Sequence, residues 1–317
     1  MANSITDILG ISVGSQQNLE ALTGCTVIMT GRAGAVCGVD VRGSAPGTRE
    51  TDCLHPVNSI ERVHAILLSG GSAYGLEAAG GVMQYLEEQG IGFPAGPCVV
   101  PIVPAAVLYD LGVGDCKVRP DHAMGYAAAR SAGREVREGN YGAGTGATIG
   151  KCRGYTHCTK GGLGSWSLTV EGGLTVGALV AVNAYGDVLD MHGEIIGGVR
   201  EDEGPKFMGT DKIWMQNKAT NPFNLATNTT LAVVACNGQL DKTAMTKVAQ
   251  MAHDGLARVI NPIHTLYDGD TVFALATGEI SADVNMVGYL AQKVLAQAVQ
   301  RAIYAASTIA ELRCCRD

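Results

Sequence analysis

Short apolar stretches alternate with amphipathic stretches along most of the chain. The stretches rich in Val, Leu, Ala and Thr, which predict buried strands, are 63–68, 174–182, 229–236 and 271–276. The stretches whose apolar residues recur with helical spacing are 73–88, 242–259 and 285–306. Many connections are short and hairpin-like, so the pattern predicts a layered α/β fold rather than a doubly wound parallel sheet. No repeat or linker interrupts it, which predicts a single domain over 1–317.

Two segments depart from this alternation. Residues 204–227 are polar and turn-rich and lead directly into the strand 229–236, so they predict an exposed loop in which the backbone can be cut without loss of the fold. The last five residues, RCCRD, predict a tail outside the core.

Composition narrows the classes of partner. The net charge is −7 and no basic run occurs, which argues against nucleic acid. No stretch of about 20 apolar residues predicts a membrane span, and the first residues lack the basic and apolar regions of a signal peptide. Ten cysteines without a CxxC pair predict free, mostly buried thiols in the cytoplasm. We expect no cofactor. We also expect no metal, because the candidate ligands Cys152, His157 and Cys158 are not joined by a second pair of ligands at metal-binding spacing.

Thr229 can be interpreted in two ways. It is a β-branched residue where a strand begins, which is its ordinary structural role. Alternatively, cutting the bond between Asn228 and Thr229 would place a free α-amine beside the Thr229 hydroxyl. An α-amine has an ordinary pKa of about 7.7–8.0, so one residue would then supply both nucleophile and general base.

Other polar residues also have two interpretations. Asp268 and Asp270 enclose an Asp-Gly turn, or they are a carboxylate pair that orients a nucleophile; a metal site with His264 is a weaker option. Asn183 ends a strand as a turn residue, or it donates to an oxyanion. Lys151 is a surface charge or a buried cation near the nucleophile. It follows a Gly-rich run, 142–150, which no apolar strand precedes, so we discount a dinucleotide site there.

Six segments together resemble the DmpA-like self-processing aminopeptidases, N-terminal-nucleophile hydrolases, and their relatives the nylon-oligomer (6-aminohexanoate oligomer) hydrolases. The segments are LLSGGSAYGLEAAGG (67–81), PAAVLYD (104–110), GAGTGATIGK (142–151), VGALVAVNAYG (176–186), NTTLAVVACN (228–237) and YDGDTVFALATGE (267–279). The resemblance spans most of the chain. It implies an αββα sandwich and autocleavage into 1–228 and 229–317, which stay associated, with a homotetramer of the cleaved pair as the expected assembly.

The resemblance also implies roles for individual residues. Thr229 matches the nucleophile and Asn183 the asparagine near the oxyanion. Asp268 and Asp270 match the acidic positions around the nucleophile's amine. Tyr109 and Lys151 match a tyrosine and a lysine that line the site in the nylon-oligomer branch. Thr at the nucleophile and Asp-x-Asp at the later pair are the pattern of that branch, whereas the aminopeptidase branch has Ser and Ser-x-Glu.

The predicted function is therefore hydrolysis of linear amide oligomers or peptides, including 6-aminohexanoate oligomers. The alternatives are an aminopeptidase that releases N-terminal amino acids and an acyltransferase that resembles ornithine acetyltransferase. A binding protein that never cleaves and a nucleotide-binding oxidoreductase are the remaining alternatives.

Overall fold

The computed structural model describes residues 3–202, 204–218 and 228–317. Its strands are β1 (Ser12–Asn18), β2 (Thr23–Met29), β3 (Ala35–Val41), β4 (Gly47–Arg49), β5 (Arg62–Val63), β6 (Ala65–Ser69), β7 (Phe93–Ala95), β8 (Cys98–Val100), β9 (Ala105–Val107), β10 (Thr148–Ile149), β11 (Thr159–Lys160), β12 (Gly162–Thr169), β13 (Thr175–Asn183), β14 (Asp187–Leu189), β15 (Ile195–Gly197), β16 (Thr229–Gln239), β17 (Ile260–Asn261) and β18 (Thr271–Ser281). Its α-helices are α1 (Ala78–Glu88), α2 (His122–Arg130), α3 (Thr210–Met215), α4 (Lys242–Ala257) and α5 (Val284–Ala305). Its 3-10 helices are Ile5–Asp7, Asp52–Leu54, Ser72–Glu77, Gly142–Gly144 and Tyr155–His157.

Two sheets form the centre of the molecule. One has the strand order β1-β2-β6-β9-β4 and the other β12-β13-β16-β18-β3-β5. In the second sheet β16 lies between β13, to which it is antiparallel, and β18, to which it is parallel. The long apolar strands predicted at 174–182, 229–236 and 271–276 are therefore neighbours in one sheet.

The apolar residues fall into three layers that produce an αββα sandwich. Along β16, Ala232 and Val234 pack with α4 and α5, whereas Leu231 and Val233 pack against the facing sheet. This alternation follows from the two-residue period of a strand, and it shows that β16 is covered on both faces. A third apolar layer joins the other face of the first sheet to α1 and α2. The layered α/β sandwich predicted from the sequence is confirmed.

The boundaries of several predicted elements differ from those observed. The predicted strand 63–68 is two strands in different sheets, β5 and β6, which are separated at His64. The predicted helix 73–88 begins as the 3-10 helix Ser72–Glu77 and becomes α-helical at α1. Asn183 is the last residue of β13 rather than a turn residue. For the two strand boundaries the cause is pairing with neighbouring strands, which overrides local propensity.

The predicted C-terminal tail is wrong. Cys314 is buried, and the carbonyl of Arg313 accepts a hydrogen bond from the Lys160 amide at 2.8 Å. The fully buried Arg200 guanidinium donates to the carbonyls of Cys314 and Asp317. A buried arginine requires acceptors, and the C-terminal backbone supplies them. The segment is therefore held against the fold and Cys314 is buried in it, although Arg316 and Asp317 are exposed.

Three further predictions concern the loop 204–227, the state of the cysteines and membrane-spanning segments. Within the predicted loop 204–227, α3 forms a short helix, and residues 219–227 lie outside the described part of the chain. All ten cysteines lie in the described part and are free, and six of them are buried: Cys25, Cys37, Cys152, Cys158, Cys236 and Cys314. None of the described helices is both long enough and apolar enough to cross a membrane.

Candidate active site

The ends of two neighbouring strands bring Thr229 and Asn183 together. Thr229 is the first residue of β16 and Asn183 the last residue of β13, and they face each other as a pair in the antiparallel ladder. Thr229 is 4% exposed and Asn183 is completely buried. A hydroxyl and an amide that lie 46 residues apart in the sequence are thus adjacent, because the register of the apolar strands fixes their positions.

Two aspartates lie on the other side of Thr229. Asp268 and Asp270 precede β18, and the parallel pairing of β16 with β18 places them beside the start of β16. Asp270 Oδ1 accepts the Thr230 amide at 2.6 Å, and Asp268 Oδ1 accepts the Tyr185 amide at 3.3 Å. Burial, together with the charge of Asp270, raises the pKa of Asp268 to about 6.

Lys151 is a buried cation that fixes the orientation of Asn183. Its ammonium donates to the Asn183 side-chain oxygen at 2.8 Å and to the Asn183 carbonyl at 3.2 Å. It also donates to the carbonyl and hydroxyl of Thr148, at 2.8 and 3.2 Å. An ammonium group can donate hydrogen bonds but cannot accept them, so Asn183 must turn its oxygen toward Lys151 and its NH2 group away from it. Burial lowers the pKa of Lys151 to about 7.

Tyr109 contributes to the same cluster through its backbone. Its carbonyl accepts a hydrogen bond from the Asn183 NH2 group at 3.0 Å. Asn183 is therefore held at both ends, with its oxygen on Lys151 and Thr148 and one N–H on Tyr109. Since an amide NH2 group carries two hydrogens, a second N–H is left for another acceptor.

The peptide bond before Thr229 is held in an unusual arrangement. The Thr229 hydroxyl donates to the Asn228 carbonyl oxygen at 2.5 Å, and the Gly269 amide donates to the same oxygen at 2.9 Å. The Asn228 amide donates to the Tyr267 carbonyl at 3.2 Å. The carbonyl of the candidate scissile bond thus lies between the candidate nucleophile and a backbone donor of the kind that stabilises an oxyanion.

The structure brings all seven predicted site residues into this one region: Tyr109, Lys151, Asn183, Asn228, Thr229, Asp268 and Asp270. Three further contributors were not predicted, namely Thr148, Gly269 and His264. His264 donates its backbone amide and presents its ring Nδ1 to Asp270 Oδ2, at 3.2 and 2.8 Å, in a left-handed conformation with φ 58°. The sequence suggested only a weak metal role for it.

The Gly-rich run before Lys151 encloses a cation rather than a phosphate. The buried Lys160 ammonium donates to the carbonyls of Gly144, Ala147 and Gly161, at 2.8, 3.0 and 2.8 Å. A phosphate-binding loop instead presents amide N–H groups. This arrangement agrees with the interpretation that the run is not a dinucleotide site, and it holds the segment that carries Thr148 and Lys151.

The weak metal candidates have other partners. His157 pairs with Asp202 at 2.8 Å, and the Cys158 thiol donates to the Tyr155 carbonyl. In the part of the chain that the structure describes, no group of three or more His, Cys, Asp and Glu residues is arranged to hold a metal ion.

The sequence of the chain matches a known family of proteins. Residues 3–314 match peptidase family S58. An uncharacterized aminopeptidase of Mycobacterium tuberculosis is 42% identical over an alignment 347 residues long. The alignment covers 99% of this chain and 97% of the relative. A 6-aminohexanoate-oligomer endohydrolase of Kocuria sp. is 33% identical over 316 residues, which cover 93% of this chain and 84% of the relative.

Solved structures agree on the fold. The L-aminopeptidase D-Ala-esterase/amidase of Ochrobactrum anthropi, described as a variant of the Ntn-hydrolase fold, superposes with a TM-score of 0.73 at 20% identity and covers 99% of this chain and 91% of its own. A β-aminopeptidase of Burkholderia sp. gives a TM-score of 0.72 at 22% identity, with 96% and 87% covered. The chain thus has the Ntn-hydrolase fold, and it belongs to peptidase family S58, a family of enzymes that hydrolyse amide bonds.

Proposed function

We propose that the chain cuts itself between Asn228 and Thr229 and then hydrolyses amide bonds with Thr229 as its N-terminal nucleophile. The observation that carries this proposal is the 2.5 Å contact between the Thr229 hydroxyl and the Asn228 carbonyl oxygen, which also receives the Gly269 amide at 2.9 Å. This contact holds the Thr229 hydroxyl beside the carbonyl group that it would attack, so part of the orientational entropy of the reaction is already lost in the folded chain.

Self-cleavage would proceed by an acyl shift. Thr229 Oγ1 forms a bond to the Asn228 carbonyl carbon while the Gly269 N–H stabilises the oxyanion. The bond from that carbon to the Thr229 nitrogen then breaks, and the nitrogen takes up the proton that Oγ1 has lost, so that it becomes a free amine. Water hydrolyses the resulting ester, which leaves a carboxylate on Asn228 and restores the Thr229 hydroxyl.

In the cleaved enzyme the new amine acts as the general base. It removes the proton of Thr229 Oγ1 as this oxygen attacks a substrate amide, and later passes it to the leaving amine. Asp268 and Asp270 supply negative charge beside that amine. The free N–H of Asn183, oriented by Lys151, is the side-chain donor for the substrate oxyanion. Thr229 is almost fully buried in the uncut chain, so cleavage also has to open access to it.

The two products would stay associated because they share a sheet. In that sheet β16 and β18, which belong to 229–317, lie between β13 and β3, which belong to 1–228. Separating the pieces would break two strand ladders and expose apolar surface on both faces. Assembly of the cleaved pair into a homotetramer and residence in the cytoplasm remain predictions.

For the substrate, we propose linear amide oligomers or peptides. Similarity to the 6-aminohexanoate-oligomer endohydrolases, together with the threonine and paired aspartates, supports amide oligomers. Release of N-terminal amino acids is the second candidate, which the higher identity to mycobacterial aminopeptidases favours.

The proposal is tested by intact mass and N-terminal sequencing of the wild type and of Thr229→Ala, with amide hydrolysis measured on both. We expect the wild type to give two fragments, the second beginning at Thr229, and the variant to give one inactive species near 32.8 kDa. A Thr229→Ala protein that is cut or that hydrolyses amides would remove the proposal.

A further inference from the structure

His264 contacts the active site, yet the cleavage scheme gives its side chain no role. Its ring Nδ1 lies 2.8 Å from Asp270 Oδ2, and the side chain is 19% exposed. We propose that His264 is a positioning residue, which holds the Asp270 carboxylate and through it the Thr230 amide and the start of β16. This inference rests on the function proposed above, because the start of β16 carries the nucleophile Thr229.

The Asp270 carboxylate is completely buried and is held at both oxygens. The Thr230 amide donates to Oδ1 at 2.6 Å, and the His264 amide donates to Oδ2 at 3.2 Å. An ionised carboxylate accepts hydrogen bonds but cannot donate them, so the ring Nδ1 beside Oδ2 must carry a hydrogen. The other ring nitrogen, Nε2, is buried and has no partner among the described residues. A hydrogen on Nδ1 is therefore the placement that forms a bond.

These contacts connect His264 to the nucleophile in two steps. His264 holds Oδ2 of Asp270, which fixes the rotation of the carboxylate and so the place of Oδ1. Oδ1 accepts the N–H of the peptide group that joins Thr229 to Thr230. The Thr229 hydroxyl lies 2.5 Å from the Asn228 carbonyl oxygen, and a displacement of about 1 Å between reacting groups can slow a reaction about 100-fold. Rotation of the Asp270 carboxylate would therefore disturb the attack.

The neighbouring groups do not duplicate this donor. The His253 ring packs against the His264 ring with centroids 4.8 Å apart, but its Nε2 contacts the Asp40 carbonyl at 3.0 Å. Burial lowers the pKa of His253 to about 4, so this ring is neutral and adds packing rather than charge. The Asp268 carboxylate has its own donors, the amide and hydroxyl of Thr265 at 2.9 and 2.6 Å. Loss of the His264 ring would thus leave Asp270 Oδ2 with its backbone donor alone among the described contacts.

Three substitutions at this position separate the donor from the bulk of the ring. The backbone of His264 has φ 58°, a conformation that Asn, Asp and Gly tolerate. His264→Asn keeps an N–H where Nδ1 stands and loses the rest of the ring. His264→Asp has the same shape as the asparagine variant but no N–H when ionised, and His264→Gly removes the whole side chain.

The assay is self-cleavage of freshly synthesised uncut protein at about pH 8, followed by intact mass; no substrate binds in this reaction, so a loss lies in the reaction itself. We expect His264→Asn to cleave within about fivefold of the wild-type rate. His264→Gly should be slower by roughly tenfold to a hundredfold, and His264→Asp at least as slow. The control is His157→Gly, which removes a ring that contacts the exposed carboxylate of Asp202 at 2.8 Å, and it should cleave at the wild-type rate.

A second measurement needs no variant at this position. In the uncut Thr229→Ala protein, 15N spectra of the histidine rings should place the His264 hydrogen on Nδ1. Urea unfolding shows whether each variant is folded, and if His264→Gly is not, the comparison of His264→Asn with His264→Asp decides.

Four results would overturn the inference: wild-type cleavage in His264→Gly, equal slowing of His264→Asn and His264→Gly, equal rates for His264→Asn and His264→Asp, or a ring hydrogen on Nε2. Equal slowing in the second case would mean that the ring acts by packing against His253. Failure of the proposed function is distinct from all four, because it would appear as an uncut wild-type chain or as an active Thr229→Ala protein.

Discussion

Replacing Lys151 by Met separates the role of its charge from that of its bulk. The methionine keeps an unbranched side chain but loses the ammonium that donates to Asn183 at 2.8 and 3.2 Å. Hydrogen bonds to charged groups contribute about 1.5–3 kcal/mol, which corresponds to about a 10- to 150-fold slower reaction if they serve to position the Asn183 amide. Self-cleavage, followed by intact mass over time, and kcat for an amide substrate should both decrease by such a factor.

The same substitution changes how stability depends on pH. Burial lowers the pKa of Lys151 to about 7 from 10.5. From pH 7 upward the folded state therefore releases a proton that the unfolded chain keeps, and the free energy of unfolding rises by up to about 1.4 kcal/mol per pH unit. In an uncut Thr229→Ala background, urea unfolding between about pH 7 and 8.5 should show this slope, to which Lys160, whose pKa burial also lowers to about 7, adds an equal contribution. Lys151→Met should therefore reduce the slope by about half.

A matched control is Lys242→Met. Lys242 is also buried and donates to two carbonyls, of Cys53 and Asn58, but it lies beyond the opposite end of β16 from Thr229. We expect normal cleavage in this variant. The reasoning is refuted if Lys151→Met cleaves and hydrolyses amides at the wild-type rate, or if Lys242→Met loses activity to the same extent.

Three other changes test separate parts of the site and fold. Gly269→Ala places a methyl group 2.8 Å from the Thr229 hydroxyl, so self-cleavage measured by mass should slow by about 100-fold, whereas Gly133→Ala, which points into open space, should be neutral. Burial and a neighbouring carboxylate raise the pKa of Asp268 to about 6, so the pH–rate profile of the wild type, which already declines as the α-amine is protonated, should fall more steeply below pH 6. Asp268→Asn should be slow and lack this additional decline. Arg200→Met removes donors to the C-terminal carbonyls and should lower the free energy of unfolding in urea by about 2–3 kcal/mol without loss of hydrolysis. A profile that is flat near pH 6, or an unchanged urea midpoint, would contradict the last two.

The sequence predicts the central strands and the site residues well, because both depend on simple signals. The strand 174–182 and the helix 242–259 agree with β13 and α4 to within a few residues, since apolar periodicity dominates buried elements. Thr229, Asn183 and the two aspartates were identified by resemblance to a family. Composition and periodicity alone favoured an ordinary strand start at Thr229.

Other features depend on long-range contacts that local patterns do not encode. The sequence predicts a tail at Arg313 and Cys314. In the structure, hydrogen bonds from Arg200 and Lys160, more than 100 residues away, hold the backbone of these two residues against the fold. The His264 ring meets Asp270 while its backbone adopts a left-handed conformation. Histidine tolerates this conformation better than most residues, but it remains uncommon, so the sequence does not predict it at this position. The sequence predicts a turn at Gly269. It does not predict that the Gly269 amide donates a hydrogen bond to the Asn228 carbonyl, because that contact depends on the pairing of distant segments.

The most direct test follows uncut protein, made by cell-free synthesis, as it matures. Aliquots are analysed by intact mass, by N-terminal sequencing and by amide hydrolysis. We predict that activity rises in proportion to the fraction of chain cut, and that the new N-terminus is Thr229. Full activity before any cutting, or fragments that begin at another residue while activity appears, would contradict a nucleophile that depends on its own released amine.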